Sequence, residues 1–366
     1  LQFAAEKFAD FPRNEAAGQH SHYYLKAVAD LGGALNGEMP HLAVQRIAQA
    51  WENVKGAWET AVSRQDFDAL LKALVPLSDF CQIRGLYHDG LRLFGEAADQ
   101  LQAAKRQRAL AQVLTQVAAM HVRLSNYPRA VASIEQALPL TSKAWVTARL
   151  YITWGEALWR QSMLVEAVEK LQKALAVAQS NLLADLTGIA IYHLGVVYTL
   201  LNEHENSFTH LEEALTIWRR LANRRWQGNT LTSLGFVAQE LNRWDQAEAT
   251  LIEALNISRS VHDTRGEIST LGNLGVVLTE QRKFEEARQA LELALKLARF
   301  TGELHVQAML NFNLAWNAQV SGDLQEAEAF GKNAQQLFAQ IGDQRMENRA
   351  KTLFEAVAGD RQKKRE

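Results

Sequence analysis

The chain has 366 residues, a formal net charge of −2 and a single cysteine, Cys81. The small net charge gives no overall basic field, which argues against nucleic-acid binding by this segment and against attachment to an anionic membrane surface. One cysteine excludes internal disulfides and a thiolate metal cage, and it indicates a reducing, cytoplasmic compartment. No apolar run approaches the roughly 20 residues that would span a bilayer.

The amino-terminal elements are irregular. We predict that residues 1–18 are the end of an upstream domain and a connector, with a short helix that stops near Pro12. Helices are predicted over about 20–35, closed by Asn36-Gly37, and over about 41–62, after Pro40. Because the chain opens at Leu1 rather than Met, we expect a fragment or a processed product.

The next elements are predicted helix pairs of less regular length. Gly85 joins a helix over about 69–84 to one over about 88–101. In the following pair, Pro128 suits the first turn of a helix, where its missing N–H costs nothing, and Pro139 is expected to shorten that helix. We therefore treat residues 19–140 as degenerate repeats.

A regular repeat organises the rest of the chain. Leu234-Gly235, Ala247, Leu251 and Ala254 form a skeleton of small residues and leucines that recurs with a period of 40 residues. The in-phase copies are Trp154-Gly155, Ala167, Leu171, Ala174; Leu194-Gly195, Ser207, Leu211, Ala214; Leu274-Gly275, Ala287, Leu291, Ala294; and Leu314-Ala315, Ala327, Ala334. A fixed period of this kind predicts helix–turn–helix units that bury their apolar faces by stacking.

This skeleton resembles the tetratricopeptide repeat in its 40-residue form. The resemblance implies an all-α fold, a right-handed α-solenoid of about eight tetratricopeptide-like helix pairs, with regular repeats over 141–340. A capping helix is expected over 341–358 and a disordered tail over 359–366. Turn residues such as Asn242 and Gly322-Asp323 are predicted to end one helix or cap the next.

Four amino-terminal segments carry a second resemblance. They are LQFAAEKF, HSHYYLKAVAD, AVQRIAQAWENVKGAWETAVSRQD and IRGLYHDGLRLFGEA. Their order resembles the start of the sensor arm in bacterial signal-transduction ATPases with numerous domains, the class that includes MalT-like and AfsR-like transcriptional regulators. The resemblance implies a ligand- or partner-sensing arm that acts on an upstream ATPase domain. The chain contains no G-x-x-x-x-G-K-[ST] phosphate loop and no DNA-binding domain after the arm, so a transcriptional output is in doubt.

The resemblance to tetratricopeptide repeats also implies an inner groove lined by the first helix of each pair. The predicted ligand- or peptide-binding positions are Arg149, Trp159, Tyr192, Asn229, Phe236, Gln239, Asn273, Met309, Phe312, Asn313 and Trp316. Their aromatic rings and neutral amides suit a protein or peptide, or an uncharged small-molecule inducer, and we expect no Lys/Arg array that would clamp a carboxylate or phosphate. The alternative is that Phe236, Phe312 and Trp316 only pack between repeats.

No motif for catalysis, a cofactor or a metal ion is present in the sequence. Ser, His and Asp are scattered without a nucleophile elbow, and Cys81 is expected to be a buried structural thiol. His20 and His22 point to different faces of a helix, which disfavours joint metal binding. We therefore predict a non-enzymatic binding protein, with a constitutive protein-interaction scaffold as the alternative to a sensor arm.

Overall fold

The computed structural model describes residues 13–363, with the side chains of residues 15–353. Over this part the chain is entirely helical, and it divides into two compact units, Leu1–Arg224 and Arg225–Glu366. The helix predicted over 1–11 lies outside the described residues. The expectation of an all-α solenoid built from antiparallel helix pairs is confirmed.

The helices of the first unit are α1 (Arg13–Asp30), α2 (Gly32–Leu35), α3 (Pro40–Gln49), α4 (Trp51–Ser63), α5 (Phe67–Arg84), α6 (Tyr87–Ala103), α7 (Gln107–Arg123), α8 (Tyr127–Ala137), α9 (Ala144–Trp159), α10 (Leu164–Ser180), α11 (Ala184–Leu200) and α12 (His204–Arg220). Those of the second unit are α13 (Arg224–Glu240), α14 (Trp244–Ser260), α15 (Thr264–Glu280), α16 (Phe284–Thr301), α17 (Leu304–Ser321), α18 (Leu324–Ile341) and α19 (Gln344–Lys363).

The close approach predicted at the repeated glycines is present in four helix pairs. A β-carbon on Gly155 would lie 2.6 Å from Cγ of Leu171, and one on Gly235 would lie 2.5 Å from Cγ of Leu251. The pairs are Gly155–Leu171, Gly195–Leu211, Gly235–Leu251 and Gly275–Leu291. Each glycine therefore sets the distance between the two helices of its repeat, because only a residue without a side chain fits beside the leucine.

Most turns between helices contain one residue with a positive φ. It is often a non-glycine residue, such as Leu182 (φ +56°) or Asn242 (φ +56°), and it is Gly302, Gly322 and Gly342 near the carboxyl end. This residue ends one helix in the left-handed conformation and redirects the chain into the next helix. The predicted aspartate caps are also present, since Asp323 Oδ1 accepts a hydrogen bond from the Glu326 N–H at 3.0 Å.

Three boundaries differ from those expected. Residues 13–18, predicted as a connector, belong to the helix α1. The helix expected over about 41–62 is two helices, α3 and α4, which meet at Ala50. The last helix α19 continues to Lys363, so residues 359–363 of the expected disordered tail are helical. Residues 364–366 lie outside the described part.

The core of the first unit contains the largest buried side chains. Trp58 is fully buried, donates its Nε1–H to the carbonyl of Leu93 at 2.9 Å and packs edge-on against Phe94. Cys81 is buried as expected, and its burial raises the thiol pKa to about 12. Trp154 is only half-buried, with Lys170 Nζ 4.5 Å from its ring. In the described part of the chain, no helix is both long and apolar enough to cross a membrane.

Candidate functional site

The predicted groove residues retain exposed surface. None of the eleven positions is fully buried, and Phe236 in α13 is 37% exposed. Arg149, Trp159 and Tyr192 lie in the first unit, and the other eight lie in the second. The two sets are described separately below, each within its own unit.

In the second unit, part of the predicted set contacts neighbouring helices. Met309 and Phe312 of α17 pack against a buried cluster that includes Phe338 and Ala350. The guanidinium of Arg349 lies 5.6 Å from the centre of the Phe312 ring. Phe312 therefore contributes to the contact between α17 and α19, as the packing alternative predicts.

Other residues of the second-unit set remain available. Phe236 is exposed, and Asn273, Asn313 and Trp316 are half-buried. Gln239 follows Phe236 by one helical turn, and its buried Oε1 receives no hydrogen bond from the described residues.

A polar ladder joins the helices of the second unit. Thr279 in α15 donates to Oδ1 of Asn317 in α17 at 3.0 Å, and Asn317 Nδ2 donates to the carbonyl of Phe284 at 3.1 Å. Thr232 and Thr270 share a hydrogen bond of 2.8 Å one repeat earlier. These residues hold successive repeats in register.

The first unit contains a charged cluster on three helices that pack in succession, α7, α9 and α11. Glu156 in α9 is buried, and its Oε1 accepts a hydrogen bond from Arg160 Nη2 at 3.0 Å and an ion-pair contact from Arg123 Nη1 at 2.8 Å. His193 in α11 is buried beside this group, and the charge of Arg149 acts on it. We call Arg123, Arg149, Glu156, Arg160 and His193 the arginine cluster.

The protonation states in the arginine cluster follow from burial and charge. Burial alone raises the pKa of Glu156, but Arg123, His193 and Arg160 outweigh it and lower that pKa to about 2. Burial is the largest cause of the lowered pKa of His193, which is about 4. The nearby arginines lower this pKa further, while the carboxylate of Glu156 acts in the opposite direction and raises it. At neutral pH the cluster therefore holds one carboxylate, a neutral imidazole and three guanidinium groups.

Two of the predicted groove residues flank the arginine cluster. The Trp159 ring lies 4.6 Å from the guanidinium carbon of Arg160, a cation–π contact. Tyr192 packs edge-on against His193, with ring centroids 5.4 Å apart. Of the predicted groove positions in the first unit, only Arg149 is an arginine, so the expectation that these positions carry no Lys/Arg array stays a prediction. Arg123 and Arg160 escaped sequence analysis because neither lies at a position in phase with the groove set.

Within the described residues, no group of three or more His, Cys, Asp or Glu side chains is placed to hold a metal ion. His20, one half of the His20–His22 pair, instead packs its ring against Tyr24 at 4.7 Å.

The tetratricopeptide repeat model matches residues 146–220, 186–260, 226–299 and 266–340. These overlapping matches span more than half of the sequence, and each covers two of the helix pairs described above. The chain belongs to the tetratricopeptide repeat family. The family match begins at α9 and ends in α18, so it covers the predicted groove positions and most of the arginine cluster. No curated protein matches the sequence.

Several solved structures have a similar tetratricopeptide fold at low sequence identity. The tetratricopeptide-sensor protein of the signal-transduction ATPase class from Pyrococcus horikoshii is 14% identical, with a TM-score of 0.61, and the match covers 94% of this chain and 55% of that one. A Rap protein complexed with competence and sporulation factor is 12% identical, with a TM-score of 0.56 and coverage of 94% and 98%. Aspartyl phosphate phosphatase F from Bacillus subtilis is 10% identical, with a TM-score of 0.53 and 94% coverage of each chain. At these identities, the likeness concerns the fold.

Proposed function

We propose that this tetratricopeptide repeat domain is a non-enzymatic, cytoplasmic binding protein that takes a peptide or protein segment on the first helices of its repeats. The observation that carries the proposal is the exposure of the Phe236 side chain. This aromatic ring is exposed on α13, a helix whose neighbouring positions Leu234, Val237 and Ala238 are buried. An exposed aromatic ring on a helix whose neighbouring side chains are buried is the arrangement that a bound peptide would cover.

We further propose that binding is read as a signal, so that the domain is the sensing arm of a multidomain signalling ATPase. Two observations support this role. The amino-terminal segments occur in the order typical of such arms. The Pyrococcus horikoshii protein, whose repeats are described as a sensor, has a similar fold over most of this chain. The Rap structure, with its bound factor, illustrates a similar fold that accepts a ligand.

The binding proposal is tested by selection from a displayed library of random peptides on the full 366-residue chain. We expect enriched peptides to lose at least about tenfold in affinity, or ~1.4 kcal/mol, in Phe236→Ala and Trp316→Ala. Ile252→Ala is the matched control, because Ile252 is also an exposed apolar residue and lies on a second helix of the same unit. If no peptide is enriched, or if all three variants bind equally well, the proposed binding surface is wrong.

A sensor arm and a constitutive scaffold differ in whether the protein changes shape when the peptide binds. A sensor must have two arrangements to which the ligand binds with different affinity. We therefore expect limited proteolysis and small-angle X-ray scattering of the full chain to change when an enriched peptide is added. A scaffold would bind the same peptide with no change in either measurement, and that result would favour the alternative function.

A further inference from the structure

We propose that the second unit binds a second copy of this chain, with the Phe300 side chain of one copy inserted into a cavity beside Trp244 of the next. The two surfaces lie at opposite ends of the helices of this unit. This interaction is separate from the peptide-binding surface proposed above and does not depend on it.

Phe300 is an exposed aromatic residue at one end of the unit. It lies in the last turn of α16 and is 88% exposed. The repeat does not require an aromatic residue at this place, because the in-phase positions are the exposed polar residues Arg220, Ser260 and Gln340. Leu304, at the start of α17, is a second exposed apolar side chain on the same turn. These side chains are stabilised only when another surface covers them.

Two cations accompany this ring. Lys296 and Arg299 are exposed on the last turns of α16, and neither forms an ion pair with a described residue. Arg265, on a neighbouring turn, is in contrast held by Glu303 at 3.1 Å. The end of α16 therefore presents an aromatic ring beside two positive charges that no described carboxylate pairs with.

The opposite end of the unit contains a cavity of about 630 Å³. Its wall includes Trp244, Asp245 and Gln281, and Lys283, which directly precedes α16. The axial rise of a helix places Phe300 about 25 Å away from Lys283 along α16. The cavity is large enough for a phenyl ring, and an indole in its wall offers the aromatic partner that such a ring prefers.

The wall of the cavity also contains an unused hydrogen-bond acceptor. Gln281 Nε2 donates to Asp245 Oδ1 at 3.2 Å, which orients the amide of Gln281. The Oε1 atom of the same amide is buried and accepts no hydrogen bond from the described residues. Buried polar atoms usually have a partner. The guanidinium of Arg299, next to Phe300 in a second copy, would supply the N–H donors that this oxygen lacks.

The turn that borders the cavity before α16 is acidic. Three exposed carboxylates on this turn form no ion pair with a described residue: Glu280, Glu285 and Glu286. Arg282 is the exposed cation between them, and Lys283 is neutralised by Glu248, whose Oε2 lies 2.7 Å from Nζ. The remaining negative charge complements the two cations beside the exposed ring at the other end of the unit, so the two ends of two copies attract each other.

The position of the two surfaces determines the kind of assembly. A copy that inserts its Phe300 into a neighbour still presents its own cavity at the other end. Contacts of this heterologous type continue from copy to copy unless the chain of subunits closes into a ring. We therefore expect species larger than a dimer.

The test is sedimentation velocity of the full 366-residue chain over a range of concentrations. We expect the average mass to rise with concentration beyond that of a dimer. Phe300→Ser and Asp245→Arg should each weaken the association at least about tenfold, because one removes the inserted ring and the other places a cation in the cavity that receives it. Ile252→Ser is the matched control, since Ile252 is an exposed apolar residue in the middle of α14.

A mixture of the two variants tests the head-to-tail arrangement. Phe300→Ser retains an intact cavity, and Asp245→Arg retains the exposed ring, so an equal mixture should form a dimer and no larger species. Thermal melts followed by circular dichroism verify that the variants are folded. Both substituted side chains are exposed, and if Asp245→Arg unfolds, Glu285→Arg takes its place.

A parent chain that stays monomeric at every concentration would overturn the inference. Equal association of Phe300→Ser and Ile252→Ser, or full association of Asp245→Arg, would overturn it as well. Vesicles of anionic phospholipid provide a further arm: if the monomer binds them and Phe300→Ser does not, the exposed ring belongs to a membrane contact and the pairing of two copies is wrong.

Discussion

Arg123 and Glu156 form a 2.8 Å ion pair between α7 and α9, with the Glu156 side chain only 10% exposed. A carboxylate in such a position costs several kcal/mol to desolvate, and it is stable only because Arg160 makes further hydrogen bonds to the same oxygen. Removing one partner of a buried pair leaves an uncompensated charge. The pair therefore couples two neighbouring repeats of the first unit, and it makes their stability dependent on pH.

The first prediction concerns acid stability. The folded protein holds His193 neutral, with a pKa of about 4 against 6.5 for a free side chain. The unfolded chain therefore takes up the proton first, and the stability contributed by neutral His193 is complete above pH 6.5 and is lost as the pH falls toward 4. We expect the urea midpoint to drop across this window, with a loss on the order of 3 kcal/mol at most.

A substitution at His193 tests how much this histidine contributes to the pH dependence. His193→Gln should reduce the dependence of the urea midpoint on pH between 6.5 and 4, leaving the contribution of His121, whose pKa burial also lowers, whereas His22→Gln, which changes an exposed histidine of α1, should retain the full dependence. The contribution of Glu156 falls in a lower window, from pH 4.5 to about 2, so the two effects are separable. A parent protein whose midpoint is constant over the upper window would contradict the assignment.

The second prediction concerns the glycine–leucine contact. In Gly155→Ala, the new methyl group would lie 2.6 Å from Cγ of Leu171, so α9 and α10 must separate. We expect a loss of about 1–3 kcal/mol in the free energy of unfolding, typical of overpacking.

The control for this substitution is Gly95→Ala in α6, where a β-carbon meets nothing within 4 Å. That change should stabilise the protein by about 1 kcal/mol, because alanine is the better helix former. Thermal melts of both variants show whether each substitution raises or lowers the stability of the protein. If Gly155→Ala is as stable as Gly95→Ala, the close approach of α9 and α10 is not required.

The third prediction concerns a turn. Leu182 has φ +56° and is 91% exposed, so it adopts a left-handed conformation that its β-carbon disfavours and gains no burial. Leu182→Gly should raise the free energy of unfolding by about 1 kcal/mol. Val165→Gly, at the exposed second residue of α10, should lower it by roughly 0.5 kcal/mol. Opposite shifts in the melting temperature are the expected outcome, and a decrease in both would show that Leu182 is not strained.

The fourth prediction separates binding from packing on α17. Asn317 is buried and bonded to Thr279 and to the backbone of Phe284, so Asn317→Ala should cost about 1–3 kcal/mol of stability. Asn313 is half-buried at a predicted groove position. We expect Asn313→Ala to change the melting temperature little and to weaken an enriched peptide. If Asn313→Ala destabilises the fold as much as Asn317→Ala, its role is structural.

The periodic part of the fold follows from the sequence because each repeat depends on contacts that are local in the chain. The glycine at position 155 and the leucine at position 171 belong to one helix pair, so their spacing alone predicts that they meet. The turn residues are equally local. The irregular amino-terminal helices were harder to predict, since the break at Ala50 between α3 and α4 has no Gly or Pro to mark it.

The sequence by itself determined the fold class and the repeat period, because helix formation and stacking depend on residues a fixed distance apart, and the candidate groove positions stay a prediction from that period. The tertiary structure alone decided which polar groups meet. Arg123, Glu156 and His193 come from three different helix pairs, and Asn317 finds Thr279 on another repeat. No local pattern encodes such meetings, because they depend on how the side chains of successive repeats interlock once the helices have stacked.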